Sequence, residues 1–227
     1  MDRARIAELL QPFLSATKNP CHSEPAKAGE EPAVLSSAQL QSISTYIDIL
    51  LHWNTRINLT AVRDPEKIVT RHFGESLFAA RQVFPSKIAS GLHVADLGSG
   101  AGFPGIPIKL WAPDIALTLI ESNHKKAAFL QEVVRSLRLN AVVVENSRAE
   151  TLPPSAFYFV TVRAVERFAD ALPIAADLLS PRGRLVLFIS FSQLHTTQTN
   201  LPAFRWEPPI PVPDSQDRIL LVSAEKS

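Results

Sequence analysis

The chain has 227 residues, with 23 Lys and Arg against 22 Asp and Glu, 46% hydrophobic residues, eight glycines, eighteen prolines and one cysteine. That length supports one domain with an added arm and a sizeable buried core. One thiol, Cys21, closes no internal disulfide and builds no multi-cysteine zinc site, and no apolar run reaches the eighteen residues of a membrane span, so the expectation is a soluble protein of a reducing cytoplasm. The first residues, MDRARIAELLQPF, mix charges into their apolar pattern and do not read as a signal peptide. A net charge of +1 argues at first sight against a nucleic-acid partner, because phosphate binding is driven by clustered Lys and Arg. The charge is unevenly spread, however. Residues 36–90 carry six basic against four acidic side chains, while 91–150 and 151–227 are each balanced.

In chain order, residues 1–35 read as a short helix followed by a flexible connector, since 15–35 (SATKNPCHSEPAKAGEEPAVL within this stretch) is rich in Pro, Ser and charge. Cys21 falls in it, which makes a positioned nucleophile an unsuitable role. Residues 36–90 read as a helical cap. Ser36 to Gln39 has capping-box spacing, and Leu40, Ile43, Ile47, Leu50 and Leu51 form a stripe at helical spacing whose plain role is core packing. Within the cap, Asn58 and Thr60 lie between two helices, and Arg56, Arg63, Lys67, Arg71 and His72 cluster around them within the stretch 56–72. The four cations suit backbone phosphates, although a charge run is often only a solvated face; His72 reads as structural before catalytic. The six histidines show no metal-ligand spacing.

From about residue 91 short apolar runs (LHVADL, IALTLIE, AVVVE, FYFVTV, RLVLFIS) alternate with helical segments, the signature of a mostly parallel, doubly wound α/β sheet covered on both faces. Five prolines between Pro202 and Pro213 then precede DRILLVSAE, which reads as a final edge strand. Four of the eight glycines fall between Gly98 and Gly105, directly behind the first strand. Gly98, Gly100 and Gly102 permit positive φ and close approach of backbone amides to a ligand, and Glu121 at the tip of the second strand is placed to accept ribose hydroxyls. Two cofactors fit such a loop. Gly100-x-Gly102-x-x-Gly105 matches a dinucleotide fingerprint, but its first glycine comes late; Asp96-x-Gly98-x-Gly100-x-Gly102 matches the loop of S-adenosylmethionine enzymes. Asp96 favours the second, because a carboxylate there repels a pyrophosphate and tolerates a sulfonium and an ammonium.

The segments WNTRINLTAVRDPEKIVTRHFGES (53–76), DLGSGAGFPGIP (96–107), IESNHKKAAFLQEV (120–133), NSRAE (146–150) and VTVRAV (160–165) resemble, in this order, the bacterial RsmG (GidB) family of small-subunit ribosomal RNA guanine-N7 methyltransferases. The resemblance implies a class I S-adenosylmethionine-dependent methyltransferase fold with an N-terminal helical extension: a helix and connector at 1–35, a substrate-side cap at 36–90 and a methyltransferase domain at 91–227. It further implies S-adenosyl-L-methionine as cofactor, held by Gly98, Phe103, Ala149, Glu150 and Arg163, and 16S ribosomal RNA within the small subunit as partner, bound by a monomer without metal. Guanine N7 has a free lone pair and no proton, so alignment and water exclusion suffice and no general base is required. The chain shows no catalytic triad, no cysteine placed for cytosine-C5 attack, and Thr161-Val162-Arg163-Ala164 where exocyclic-amine enzymes carry an Asn/Asp-Pro-Pro motif. The other class of function compatible with this sequence is a non-catalytic RNA-binding or ribosome-assembly protein on the same fold. It draws on three departures from the family pattern: Tyr158 for a common Asp, Glu75 for another, and Ile189-Ser190 for a Lys-Gly pair.

Overall fold

A computed structural model describes residues 1–15, 34–84 and 91–226. Cys21 and nearly all of the expected connector lie outside the described residues. Helix α1 (Arg3–Ser15) is followed by α2 (Ser37–Asn54), α3 (Pro65–Ile68), a π-helical segment (Val69–Gly74) and α4 (Glu75–Val83). The alternating part then runs β1 (His93–Leu97), α5 (Gly105–Trp111), β2 (Ala116–Ile120), α6 (His124–Ser136), β3 (Val142–Glu145), β4 (Phe157–Arg163), α7 (Phe168–Leu178), β5 (Leu179–Ser190), α8 (Leu194–Asn200), β6 (Ile210–Pro211) and β7 (Arg218–Val222). The seven strands are ordered β3-β2-β1-β4-β5-β7-β6, with β1 to β5 parallel and β7 antiparallel to both neighbours.

Period-two alternation divides the strands between two cores. Val94, Leu117, Leu119, Phe159, Val186 and Leu220 face α5, α6 and the cap, whereas Ala95, Val160, Val162, Leu185, Leu187 and Ile219 face α7. Both faces are therefore dry, which is why the strands read as continuous apolar runs. The expectation of a final edge strand is corrected: RILLV forms β7, inside the sheet, and the two-residue β6 takes the edge. Pro211 belongs there, because it has no N–H to offer a further strand.

The cap is built from local signals. Ser36 accepts from Gln39 N and Gln39 Oε1 accepts from Ser36 N, closing the capping box that starts α2. Asp64 accepts from Lys67 N and Pro65 occupies the first turn of α3. That helix continues without a break through the π-segment into α4, and α1 folds back over it. Ile6, Leu10 and Leu14 of α1 join the same core as Ile43, Ile47, Leu50 and Phe73. The arm is thus an integral layer of the cap, further fastened where Arg5 meets Glu66 at 2.8 Å, an exposed pair that contributes little.

Gly74, the last residue of the π-segment, marks the closest approach of the arm. A Cβ there would stand 2.6 Å from the ring of Phe13, which is fully buried. Gly74→Ala gains helix propensity but overpacks this contact, so a net loss of about 1–3 kcal/mol is expected in urea unfolding. An unchanged or raised midpoint would show that α1 yields at no cost.

Candidate active site at the carboxyl edge of the sheet

The carboxyl ends of β1, β2 and β4 converge on one buried carboxylate. Asp96 is 1% exposed; its Oδ1 accepts from Thr161 Oγ1 at 2.7 Å and its Oδ2 from Gly105 N at 3.1 Å, while Ser99 Oγ donates to its carbonyl. Burial pushes the carboxyl up to about 6 despite those donors. Asp96, expected to contact a cofactor, instead faces inward, joining β4 and the start of α5 to the loop.

The loop that follows turns on Gly98, Gly100 and Gly102, with φ of 68°, 55° and 82°. At Gly98 a Cβ would lie 2.9 Å from Val165 Cγ1, and at Gly102 it would strike Tyr46 Oη. Glu121, directly beyond β2, closes the loop from the other side: Gly100 N donates to its Oε2 at 2.9 Å and Asn123 N to its Oε1 at 2.8 Å. Asn146, beyond β3, donates to the Glu121 carbonyl at 2.8 Å. Ala149 is buried at the start of a 3-10 turn (Ala149–Thr151), and Glu150 is exposed beside it. A cofactor with an adenosine and an amino-acid end fits these residues, since Gly98 is exposed, Gly100 has no side chain within 4 Å of its would-be Cβ, and each Glu121 oxygen retains a free lone pair.

The cap closes on the loop through aromatic rings. Phe103, 7% exposed, is sandwiched between Tyr46 of α2 (centroids 5.3 Å apart, planes at 8°) and His72 of the π-segment (4.9 Å, 25°), with Phe73 edge-on to Tyr46 and Phe103. The Tyr46 hydroxyl donates to the Ala101 carbonyl inside the loop. Asn54, buried at the end of α2, accepts from Leu59 N and Thr60 N and donates to Thr60 O, which shapes the turn carrying Asn58 and Thr60. Thr60 Oγ1 lies 2.8 Å from His72 Nε2, and His72 Nδ1 lies 3.3 Å from Arg163 Nη2. Because a guanidinium only donates, Nδ1 accepts and Nε2 carries the proton toward Thr60. Burial first, then Arg163, Arg71 and Arg218, push the imidazole down to about 3, so it is uncharged.

Arg163 ends β4 and turns into the cap, donating to Arg71 O at 2.7 Å and to Glu75 Oε2 at 2.9 Å, with Phe188 under its guanidinium at 5.8 Å. Glu75 Oε1 meets Arg218 of β7 at 2.8 Å. Burial raises the Glu75 carboxyl against the pull of both arginines. Thr60, His72, Phe103 and Arg163 are thus brought into one connected group. Asn58, Arg56, Arg63, Lys67 and Arg71 have exposed side chains on the same helical layer. Sequence reasoning passed over Tyr46, Asn54 and Arg218 and saw Glu75 only as a departure. Tyr46 lies three residues after Ile43 on the apolar stripe and was open to detection there; Arg218, on a strand 55 residues after Arg163, carries no local signal. Among the described residues no three His, Cys, Asp or Glu side chains gather as a metal site, and no helix is long and apolar enough to cross a membrane.

His72 and Asp96 pull stability in opposite directions with pH. His72 binds its proton more weakly folded than unfolded, so its contribution is present above about 6.5 and is lost as pH falls toward 3. Asp96 binds its proton more tightly folded, so its contribution is present below about 3.8 and is lost as pH rises through about 6. The His72 ring resonances should accordingly show no titration between pH 8 and pH 5 by NMR; a midpoint above 5 would contradict the bonding described.

The sequence matches the family described as GidB, rRNA small subunit methyltransferase G, over residues 39–201. A ribosomal RNA small subunit methyltransferase G from Xanthomonas oryzae pv. oryzae is 44% identical over 153 residues, which are 67% of this chain and 69% of the relative. One from Xylella fastidiosa is 40% identical over the same shares. Among solved structures, a SAM-dependent methyltransferase from Aquifex aeolicus aligns with a TM-score of 0.55 at 17% identity, covering 72% of this chain and 94% of that one. The ribosomal protein L11 methylase of Lactobacillus delbrueckii subsp. bulgaricus aligns at 0.57 and 14%, covering 69% and 79%. At such identities the likeness concerns the fold, which is that of S-adenosylmethionine-dependent methyltransferases. The match over residues 39–201, together with relatives 40–44% identical over two thirds of the chain, places the chain in the rRNA small subunit methyltransferase G family.

Proposed function

We propose that the protein transfers a methyl group from S-adenosylmethionine to N7 of one guanine in 16S ribosomal RNA, acting in the cytoplasm as a monomer on the small ribosomal subunit. The observation that carries this reading is the positive-φ glycine loop clasped between Asp96 and Glu121, in a chain of this family. Held by the glycine loop, Glu121 and the Ala149 turn, the cofactor would supply an electrophilic methyl on a sulfonium, the sulfur keeping the electrons of the C–S bond and the methylated base taking the positive charge.

The residues of the chain serve binding and alignment. Glu121 accepts the ribose hydroxyls, Gly98 and Gly100 admit the amino-acid end, and Ala149 with Glu150 border the adenine. Phe103, locked in its stack, walls off water from the transfer, and the field of Asp96 favours a cation in the loop. No proton leaves N7, and accordingly His72, uncharged with both ring nitrogens engaged, serves as a spacer that orients Arg163 and takes no part as a base. Asn58 and Thr60 lie on the turn that faces the target, while Arg56, Arg63, Lys67 and Arg71 grip flanking phosphates.

The near-neutral total charge accords with weak binding to naked RNA and reliance on the preformed shape of the subunit. The direct test is methyl transfer from labelled cofactor to small subunits from a strain lacking the gene. Label in N7-methylguanosine at one position is expected; label elsewhere, or none, overturns the assignment. Gly98→Ala forces a Cβ onto Val165 at an αL residue, and Glu121→Ala releases Gly100 N. Each is expected to raise the calorimetric Kd for S-adenosylmethionine more than tenfold, whereas Lys67→Ala leaves it unchanged and weakens subunit binding instead.

A further inference from the structure

β5 outlasts its neighbour. Arg163, the last residue of β4, pairs with Phe188, and β5 continues through Ile189 and Ser190 before Phe191 opens a single 3-10 turn (Phe191–Gln193). Phe191 therefore stands three residues beyond the level of Arg163, about 10 Å further out at the rise of an extended strand. Phe191 is 50% exposed, one of three large hydrophobic residues so exposed among the described residues. The backbone beneath it is held from three directions: Ser190 pairs with Arg218, Phe191 N donates to Asp217 O at 3.0 Å, and Ser190 and Gln193 form a capping box. An apolar ring kept out of the core on so well fastened a backbone is preorganised for a contact outside the chain.

The neighbourhood says what kind. Arg218, on the strand paired with Ser190, is one-third exposed and is steered by Glu75 and by Ser215 at 3.2 Å. Arg163 and Arg218 both pair with the buried Glu75 carboxylate, the Arg71 carbonyl receives Arg163, and the charge of the exposed Arg71 acts on Glu75 and on the uncharged His72 from the same edge. A flat aromatic face beside surplus positive charge suits a nucleobase and its phosphate, since any base offers a π-face for stacking. Resting on the function proposed above, we propose that Phe191 is a substrate-binding residue that stacks on an unpaired base of the ribosomal RNA next to the target, with Arg218 taking the adjoining phosphate.

The test compares Phe191→Ala, Phe191→Leu and Phe191→Tyr on intact small subunits. Phe191→Ala and Phe191→Leu should each raise KM for the subunit about tenfold with kcat changed less than twofold, and Phe191→Tyr should stay within twofold of the parent. All three should bind S-adenosylmethionine with the parent Kd by calorimetry, which separates a stacking loss from misfolding. A photoreactive benzoylphenylalanine at position 191 should crosslink to ribosomal RNA. Full retention of KM in Phe191→Ala, rescue by Leu equal to that by Tyr, or a crosslink to a ribosomal protein would overturn the proposal while leaving the methyltransferase reading standing. A parent protein without methyl transfer would remove both.

Discussion

The buried carboxylate of Asp96 is the constraint on which the rest depends. A charge removed from water is costly, and it is tolerated here because Thr161 and Gly105 N each donate to it. Those two donors come from β4 and α5, so satisfying one side chain fixes the spacing of two strands and a helix at the point where the glycine loop leaves β1. Gly105 is part of the arrangement: a Cβ there would fall 2.8 Å from Asp96 Oδ2 and 2.7 Å from Leu119. The loop is held at its base by Asp96 and at its middle by Glu121, and only the stretch between them is open.

The cap is not an appendage beside this loop. Tyr46 reaches from α2 to the Ala101 carbonyl, and the Tyr46–Phe103–His72 stack passes from cap to loop and back to cap. Aromatic pairs of this kind contribute about 0.5–1.5 kcal/mol each beyond the area they bury, enough to bias the loop toward one shape. The π-segment makes the second crossing. It places His72 against Phe103 while the Arg71 carbonyl and Glu75 receive the Arg163 guanidinium, so the strand that ends at Arg163 is clamped to the helix that carries the cations.

Charge in this molecule is a matter of placement. The total of +1 conceals three guanidinium groups near one buried carboxylate, and His72 adds no positive charge because burial and those same arginines hold it neutral. A neutral spacer that accepts from Arg163 and donates to Thr60 keeps the arginine oriented; a charged imidazole would repel it.

What was legible in the sequence follows from local physics. Short continuous apolar runs specified the strands, the Ser36–Gln39 spacing specified the start of α2, and positive-φ demand accounts for the glycines behind β1, so the fold and the proposed cofactor loop, with Asp96 and Glu121 at its ends, were legible from residue type and order alone. The sheet edge was misread because DRILLV has the same pattern in a central antiparallel strand as at an edge; the two-residue β6 that covers it is too short to have a period. Arg163 was read as meeting a ligand, and only the tertiary structure shows its donors reaching Arg71 O, His72 and Glu75, because those partners lie about ninety residues away in the chain. Tyr46, Arg218 and Phe191 were not singled out, because their roles depend on partners distant in the chain. Residue type and spacing determine what a segment does on its own; which side chains end up within 3 Å of one another is decided by how the sheet and the cap close, and no local pattern carries that information.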